Sequence, residues 1–426
     1  MDIHLHQITA IHNVHLTISG SKSETNRLLL LQALYPNIIL ENVSTSDDSE
    51  VMQKALTTNF SSSHCPPERS RGIQEINIHH AGTAMRFLTA YFAIQEGSEV
   101  ILTGSSRMKE RPIQVLVDAL RQLGADINYE EKEGFPPLRI KGKKLQQNQV
   151  TLAANVSSQY ISALLLIAPK LENGLQLTLE GKITSVPYIQ MTLDLLKQIG
   201  IKTIFNQNKI TVEPQPTTYN LQPTTLTIES DWSSASYFYS IIALSKEGTQ
   251  ITLSKYKANS LQGDSALTEI YKNFGVSTTF ENNTIILRKT QPTTDNRQPT
   301  TINLNNTPDI AQTIAVTCFG LGLSCHLTGL HTLKIKETDR LAALQNELQK
   351  LGGKVTITDD SLQLEASAEI NSNIKIATYN DHRMAMAFAP LALKVPIIIE
   401  DAEVVSKSYP NFWHDLKSIG FEVSEH

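Results

Sequence analysis

The sequence is poor in cysteine and carries no excess of basic residues, and each shortage excludes a class of protein. Three cysteines, Cys65, Cys318 and Cys325, occur in 426 residues. They form no Cys-x-x-Cys pair, so we expect reduced thiols rather than a disulfide framework or a zinc site. Lys and Arg number 37 against 42 Asp and Glu, a formal net charge of −5. This balance disfavours a nucleic-acid-binding protein, whereas local cationic clusters in such a chain favour a small anionic ligand.

Membrane and export signals are also missing. No uninterrupted apolar run reaches the roughly 18 residues that a membrane-spanning helix needs. The first residues, beginning Met1-Asp2-Ile3-His4, lack the basic and apolar regions of a signal peptide. We therefore expect a soluble cytoplasmic protein.

Familiar catalytic and metal-binding patterns are absent as well. No Gly-x-Ser-x-Gly motif is present, which disfavours acyl-enzyme chemistry. The histidines near the N-terminus and the pair His79-His80 do not show the helical spacing of zinc ligands. We expect neither a metal nor an organic cofactor.

What the sequence does contain is a repeated unit: a strand, a polar turn, an amphipathic helix and a glycine or polar residue before the next strand. Six copies recur, at residues 38–57, 100–124, 177–200, 251–275, 326–352 and 397–420. A chain of this length exceeds one ordinary hydrophobic core. The repeats therefore predict two domains of three units each.

Between these units lie six helices that are apolar on nearly all sides and are therefore expected to be buried. Their polar openings stand at Ser21-Lys22-Ser23, Ala81-Gly82-Thr83, Ser157-Ser158-Gln159, Asp231-Trp232-Ser233-Ser234, Pro308-Asp309-Ile310 and Asp381-His382-Arg383. If three such helices are related by rotation, their N-termini emerge at one end of each domain. Two such ends facing each other would form a cleft with converging positive dipoles.

Three segments are predicted to be loops. The Thr/Pro-rich segments 215–225 and 291–301 nearly repeat each other and are interpreted as exposed hairpin loops. Residues 61–72, which contain Pro66-Pro67, are interpreted as another surface loop.

The stretch Gly20-Ser21-Lys22-Ser23-Glu24-Thr25-Asn26-Arg27 before a run of leucines predicts a turn into a helix whose N-terminus binds an anion. Lys22 adds a mobile charge, and Arg27 adds a planar fork for oxygen atoms. The spacing differs from the phosphate loop of NTPases. Taken alone, the stretch fits a serine-capped helix with solvated cations better than an anion site, and only the other motifs of the chain favour the anion site.

Further polar clusters stand at other helix openings. They are the cations of residues 107–112, the segment 336–340, Asp381-His382-Arg383, the Lys407 turn, and the hydroxyls and amide of residues 157–159. Lys336 and Arg340, four residues apart, are predicted to share one helical face. The alternative for the charged clusters is a solvated helix surface, and the alternative for residues 157–159 is a plain N-cap.

Together these segments resemble the EPSP synthases, the 3-phosphoshikimate 1-carboxyvinyltransferases. The matching stretches are GSKSETNR at Gly20, AGTAMR at Ala81, RMKERP at Arg107, SSQ at Ser157, SVPY at Ser185, SDWSSASYF at Ser230, PDIAQTIA at Pro308, KETDRL at Lys336, DHRMAMAFA at Asp381 and the Lys407 turn. They follow the family's order over nearly the whole chain.

The resemblance implies the two-domain enolpyruvyl transferase fold, an inside-out α/β barrel with three βαβαββ repeats in each domain. Residues 1–19 and 229–426 would form one discontinuous domain and residues 20–228 the other, with the active site in the interdomain cleft. A monomer that is a target of glyphosate is expected.

The implied reaction is attack of the 5-hydroxyl of shikimate 3-phosphate on C2 of phosphoenolpyruvate, with protonation of C3 and later loss of phosphate. The residues implied for phosphoenolpyruvate are Lys22, Gly82, Arg111, Gln159, Arg340, Arg383 and Lys407. Those implied for shikimate 3-phosphate are Ser23, Arg27, Ser157, Ser158, Ser185, Tyr188, Asp309 and Lys336. Asp309 would accept the hydroxyl proton, and either Glu337 or Lys22 would protonate C3.

The chain departs from the family pattern at three positions. His80 and Thr332 stand where asparagine is usual, and Phe87 stands where proline is usual. These departures bear on substrate-carboxylate contacts and inhibitor fit rather than on the reaction class.

Two rival functions can be weighed. The sister enolpyruvyl transferase that acts on UDP-N-acetylglucosamine normally carries a reactive cysteine in the loop at residues 105–111, where this chain has none. A non-catalytic phosphate-ligand binder would gain nothing from Asp309 and Glu337 beside the cations.

Overall fold

The computed structural model describes residues 1–57, 73–154, 157–181, 183, 185–215, 223–291 and 300–426. The chain divides into two compact units. Unit 1 consists of Met1–Ser21 and Glu229–His426, and unit 2 consists of Lys22–Ile228. The predicted loop at 61–72 lies outside the described residues, as does most of both Thr/Pro-rich segments.

The strands are short. In chain order they are β1 Ile3–Leu5, β2 Val14–Leu16, β3 Ile38–Glu41, β4 Gln74–Asn77, β5 Glu99–Thr103, β6 Asp126–Tyr129, β7 Leu138–Lys141, β8 Gln149–Ala153, β9 Leu175–Glu180, β10 Thr203–Asn206, β11 Lys209–Val212, β12 Thr224–Thr227, β13 Gln250–Ser254, β14 Val276–Glu281, β15 Thr284–Lys289, β16 Thr300–Asn303, β17 Cys325–Thr328, β18 Val355–Ile357, β19 Ser361–Leu364, β20 Ile374–Ile376, β21 Ile397–Ile399 and β22 Val423–Glu425.

The helices alternate with these strands. They are α1 Lys22–Leu34, α2 Asp47–Leu56, α3 Gly82–Ala93, α4 Ser106–Lys109, α5 Gln114–Gln122, α6 Ser158–Ile167, α7 Val186–Gln198, α8 Trp232–Leu244, α9 Leu267–Ile270, α10 Ala311–Gly320, α11 Arg340–Lys350, α12 His382–Phe388 and α13 Phe412–Ser418. Among the described helices, none is both long enough and apolar enough to cross a membrane.

The sheets with four described strands share one topology. In the sheet of β4 to β7, β4 and β5 pair in parallel across the buried α3, β5 pairs antiparallel with β7, and β7 pairs antiparallel with β6. The same pattern gives the strand orders β8-β9-β11-β10, β2-β13-β15-β14, β16-β17-β19-β18 and β20-β21-β1-β22. The predicted βαβαββ repeat is therefore confirmed.

The first residues of the chain complete two sheets of unit 1. Strand β1 lies between β21 and β22, antiparallel to both, and β2 pairs in parallel with β13. In unit 2, β12 returns from the end of the unit to pair in parallel with β3. Each unit is thus closed by strands that are distant in sequence.

The apolar helices fill the interiors, as their all-round apolar character predicts. In α8, every residue from Trp232 to Leu244 except Ser233 is buried. In α3 and α10 the burial is similarly complete. The one partly open position of α8 is at its N-terminal end, where polar groups gather.

The prediction of hairpins at the Thr/Pro-rich segments is wrong. Segment 215–225 leads from β11 to β12, and segment 291–301 leads from β15 to β16. In both cases the two flanking strands belong to different sheets. Each segment therefore connects one repeat to the next, because its second strand pairs in parallel with β3 or β17.

The prediction of a shared helical face for Lys336 and Arg340 is also wrong. Helix α11 begins only at Arg340, because the side chain of Asp339 accepts hydrogen bonds from the backbone N–H groups of Leu341 and Ala342 (3.1 Å each) and so forms the N-cap. Lys336 precedes the helix in an extended conformation.

Candidate active site

In unit 1 the N-terminal ends of three buried helices meet within hydrogen-bond distance. Arg383, in the first turn of α12, donates from Nη1 to the carbonyl oxygen of Asp309 (2.8 Å), just before α10. It also donates from Nη2 to Oγ of Ser233 (3.3 Å), in the first turn of α8. The three N-termini that were predicted to emerge at one end of this unit therefore do so.

Arg340 is the centre of a carboxylate cluster at this end and is only 2% exposed. Its Nε donates to Asp381 (2.6 Å), its Nη1 to Asp309 (2.9 Å) and its Nη2 to Glu337 (2.8 Å). Burial alone would lower the pKa of Arg340, but these carboxylates raise it above its ordinary value. The guanidinium is thus a fixed positive charge held in one orientation.

Asp309 joins three cations. Besides Arg340, its carboxylate lies 3.4 Å from Nζ of Lys336 and 3.6 Å from Nη2 of Arg383. Burial favours the neutral acid, but the attraction of these three cations prevails and lowers the pKa of Asp309 well below its usual range. The side chain is ionised and able to accept a proton, although it is a weak base in this arrangement.

Asp264 is a second buried carboxylate at this end of unit 1. Its Oδ2 accepts a hydrogen bond from the hydroxyl of Ser233. Burial, together with the nearby charge of Asp309, raises the pKa of Asp264 to about 7. The environment of Asp264 thus raises its pKa, whereas the environment of Asp309 lowers its pKa.

Lys407 lies at the end of the 3-10 turn Ala402–Lys407. Its ammonium donates to the backbone carbonyl oxygen (2.7 Å) and to the side-chain oxygen (2.6 Å) of Asn380, next to Asp381. The predicted turn therefore delivers this cation beside the start of α12.

In unit 2, Lys22 opens α1 and faces a carboxylate on α2. Its Nζ lies 3.7 Å from Oδ2 of Asp48. Nε2 of His80, two residues before α3, lies 3.8 Å from the other oxygen of Asp48 and 3.9 Å from Asp47. Asp48 thus connects the starts of α1 and α3.

The starts of α6 and α3 are joined directly. The side-chain amide of Gln159 donates to Oγ1 of Thr83 (3.0 Å). Ser157 is the N-cap of α6 and accepts from the backbone N–H of Gln159 (3.4 Å), while Ser158 is buried. The N-cap interpretation of Ser157 is therefore correct, and it leaves the hydroxyl hydrogen available to a ligand.

Gly82 and Arg111 are in close contact. A Cβ atom placed on Gly82 would lie 2.5 Å from Nη1 of Arg111. The guanidinium of Arg111 is thus packed against the first residue of α3, and only glycine leaves room for it.

Arg27 is almost fully buried within unit 2. It donates to the carbonyl oxygen of Ser23 (2.7 Å), to Thr192 (2.8 Å) and to Ser162 (3.0 Å), and its guanidinium lies 5.5 Å from the centre of the Phe87 ring. Burial lowers the pKa of Arg27 to about 10. The guanidinium of Arg27 therefore already uses most of its hydrogen-bond donors on groups of unit 2.

Comparison with known proteins shows to which family the chain belongs. The sequence model for EPSP synthase (3-phosphoshikimate 1-carboxyvinyltransferase) matches residues 7–416. The chain belongs to the EPSP synthase family. A 3-phosphoshikimate 1-carboxyvinyltransferase from Bacteroides fragilis is 46% identical over 413 residues, covering 96% of this chain and 95% of that protein. Another 3-phosphoshikimate 1-carboxyvinyltransferase, from Colwellia psychrerythraea, is 34% identical over 423 residues, covering 96% of this chain and 97% of that protein.

Solved structures agree on the enolpyruvyl transferase fold. An EPSP synthase from Acinetobacter baumannii superposes with a TM-score of 0.77 at 22% identity, over 100% of both chains. The enolpyruvyl transferase NikO from Streptomyces tendae superposes with a TM-score of 0.72 at 13% identity, over 99% of this chain and 98% of NikO. At these identities the likeness concerns the fold alone.

The residues expected from the EPSP synthase resemblance divide between the two units. Unit 1 brings Asp309, Lys336, Glu337, Arg340 and Arg383 into one charged network, and Lys407 donates to Asn380, which precedes Asp381 in the chain. Unit 2 holds Lys22, Ser23, Arg27, Gly82, Arg111, Ser157, Ser158, Gln159, Ser185 and Tyr188.

Within unit 2, Ser23 and Tyr188 contribute backbone oxygens to Arg27 (2.7 and 3.4 Å). Ser185 has a left-handed backbone, with φ of 52°, directly before α7. Arg383, which the resemblance implies for phosphoenolpyruvate, also has structural partners within unit 1, because it donates hydrogen bonds to Asp309 and Ser233.

Sequence reasoning gave no role to several polar residues that contact the predicted site residues of each unit or their partners. Asp381 is completely buried and bonds both Arg340 and the backbone N–H of Arg383. Asp48 and Asp264 pair with groups on other elements. For Asp381 a signal existed, since an aspartate before an apolar helix predicts an N-cap. Across the described residues, no cluster of three or more metal-binding side chains occurs.

Proposed function

We propose that this chain transfers the enolpyruvyl group of phosphoenolpyruvate to the 5-hydroxyl of shikimate 3-phosphate, with release of phosphate, in the shikimate pathway. The observation that carries the proposal is the family match over residues 7–416, with a relative that is 46% identical over 413 residues. The charged network around Arg340 supplies chemistry that suits this reaction.

Both substrates are multiply charged anions, and the proposed ligands are fixed cations and helix N-termini. Lys22, Arg111, Arg340, Arg383 and Lys407, with Gly82 and Gln159, would bind phosphoenolpyruvate. Ser157, Ser158 and Ser185 would bind the phosphate of shikimate 3-phosphate. Ser23, Arg27, Tyr188, Asp309 and Lys336 would position its carboxylate and ring hydroxyls.

Asp309 is the proposed acceptor of the 5-hydroxyl proton. Its three cationic neighbours lower its pKa and so weaken it as a base. Anionic substrate groups bound to those cations would offset their attraction and make Asp309 more basic when the hydroxyl is in place. The ground state and the reacting complex would therefore differ in base strength.

Two residues are proposed for protonation of C3. Glu337 is a quarter exposed and bonded to Arg340, and Lys22 is paired with Asp48. Fixed charges around the substrate carboxylate and the departing phosphate would stabilise the transition state without reorganisation.

We further propose a cytoplasmic monomer that needs no cofactor, metal or nucleic acid and that is a target of glyphosate. Its domains would be residues 1–19 with 229–426 and residues 20–228. It would act without a membrane partner.

The test is release of phosphate from phosphoenolpyruvate with each of two acceptors. We expect release with shikimate 3-phosphate and none with UDP-N-acetylglucosamine. Release only with the sugar nucleotide would assign the sister activity. Binding of phosphoenolpyruvate without release in either mixture would favour a non-catalytic binder.

A further inference from the structure

Asp264 is a buried carboxyl group for which the proposed mechanism has no role. It is 2% exposed and lies in the 3-10 turn Gly263–Ala266 of unit 1. One oxygen accepts from Ser233, and the buried Oδ1 has no hydrogen-bond partner among the described residues. A buried carboxyl group with only one oxygen hydrogen-bonded destabilises the folded protein, and a function for Asp264 would account for its presence.

Ser233 connects this carboxyl to a proposed substrate ligand. Its Oγ accepts from Nη2 of Arg383 (3.3 Å) while its hydroxyl donates to Asp264. Ser233 is the partly open residue of the otherwise buried α8. A continuous path of hydrogen bonds therefore runs from Arg383 to Asp264.

The charges that face Asp264 come from three neighbouring elements. Asp309, before α10, and Asp231, at the N-cap of α8, favour its protonated form, whereas Arg383 on α12 favours its ionised form. An anion bound to Arg383 would offset the charge of that arginine and add negative charge nearby. Both effects increase the affinity of Asp264 for a proton.

Protonation would in turn help the anion. When Asp264 is ionised, the hydroxyl hydrogen of Ser233 points towards it. When Asp264 is protonated, it can donate to Oγ of Ser233, and the serine hydrogen becomes available to a ligand at Arg383. Proton and anion would thus promote each other's binding, as linkage requires.

We propose that Asp264, acting through Ser233, is a positioning residue for the anion held by Arg383 and gains a proton when that anion binds. The inference rests on the proposed function, because it takes phosphoenolpyruvate as the anion. It adds a proton-coupled residue that does not itself touch the reacting atoms.

The first experiment measures the Michaelis constant for phosphoenolpyruvate between pH 6 and 9 at saturating shikimate 3-phosphate. Asp264→Asn is compared with the wild type at each pH, so that ionisation of the substrate cancels in the ratio. As pH rises, the wild-type Michaelis constant should increase about fivefold more than that of Asp264→Asn, with little difference in kcat. Ser233→Ala should have a Michaelis constant raised about fivefold at pH 6.

Asp415→Asn is the matched control, because Asp415 is another carboxyl whose pKa burial raises, and it accepts its hydrogen bond from Tyr409 rather than from Ser233. Its profile should follow the wild type. If Asp264→Asn also follows the wild type, the proposal is overturned.

A second experiment has its main readout on the wild type. Phosphoenolpyruvate is titrated into the wild-type complex with 5-deoxyshikimate 3-phosphate, which cannot react, in buffers of different ionisation enthalpy at pH 8. Calorimetry should detect uptake of about a quarter of a proton per site, the amount that a fivefold linkage implies at pH 8, and most of it should be absent in Asp264→Asn. Binding without uptake would refute the inference, whereas failure of the wild type to release phosphate with both substrates would refute the proposed function instead.

Discussion

Arg383 uses both terminal nitrogens of its guanidinium, one for the carbonyl oxygen of Asp309 and one for Ser233. Lysine would retain the charge but could not hold both directions at once. Loss of one charged hydrogen bond costs about 1.5–3 kcal/mol, so Arg383→Lys should lower kcat/KM for phosphoenolpyruvate about 10- to 150-fold. Steady-state assays of phosphate release measure this loss.

Arg121→Lys provides the control, because Arg121 also donates to a backbone oxygen, that of Ile127, outside the proposed site. It should leave kcat/KM nearly unchanged. If Arg383→Lys stays within about a factor of two of the wild type, Arg383 does not bind the substrate.

Gly82 is the residue for which an added methyl group has a defined consequence. The methyl would lie 2.5 Å from Nη1 of Arg111, so the guanidinium must move. We expect Gly82→Ala to raise the Michaelis constant for phosphoenolpyruvate about tenfold and to lower kcat less.

A double-mutant cycle identifies the displaced group. In an Arg111→Lys background the effect of Gly82→Ala should shrink, because the shorter ammonium head does not occupy the same space. Fully additive effects would show that Arg111 is not the displaced group.

At the residue scale, the sequence predicted the cations better than their partners. Arg340, Arg383 and Asp309 stand at polar openings of helices, which is a local pattern. Asp264 stands in no such pattern, and its partner Ser233 belongs to another element. Pairing between side chains of different elements depends on tertiary packing, which one sequence does not display.

At the scale of elements, the N-cap of α11 determines where Arg340 lies. Asp339 accepts from the backbone of Leu341 and Ala342 immediately beside Arg340. Asp339→Ala should lower the free energy of unfolding by about 1 kcal/mol and reduce kcat, because the first turn that holds Arg340 loosens. Chemical denaturation and steady-state kinetics measure the two effects.

Asp339→Asn is the informative companion, since asparagine caps helices about as well as aspartate. It should remain close to the wild type in both measurements. An asparagine variant as impaired as the alanine variant would mean that the charge of Asp339, rather than its capping, matters.

The repeats were predictable because hydrophobic period and turn residues are local features. The connections between repeats were not, since β12 and β16 pair with β3 and β17 rather than with the strands before them. Phe87 illustrates the same limit within an element. Its ring lies near the guanidinium of Arg27 on α1, a contact that comparison of helix openings did not indicate.

At the scale of the whole molecule, Asp264 makes stability depend on pH. Its pKa is about 7 in the folded chain against an ordinary value of 3.8. Between these values the folded state binds more protons than the unfolded state, so the free energy of unfolding decreases as pH rises towards 7.

Asp264→Asn removes this titration. From pH 5 to pH 8, the stability of the variant relative to the wild type should increase by about 2–3 kcal/mol. Denaturant unfolding at each pH measures the difference. If the free energies of unfolding of the two proteins change in parallel with pH, the raised pKa of Asp264 is contradicted.

The strands that close unit 1 impose an order on synthesis. Strand β1 pairs with β21 and β22, whereas β2 pairs with β13, so β1 waits much longer for its partners during synthesis than β2 does. At elongation rates of roughly 5–20 residues per second, the delay for β1 is on the order of tens of seconds. The continuous unit 2 can complete its strands on the ribosome first, while β1 stays unpaired in the nascent chain until β21 and β22 have been translated.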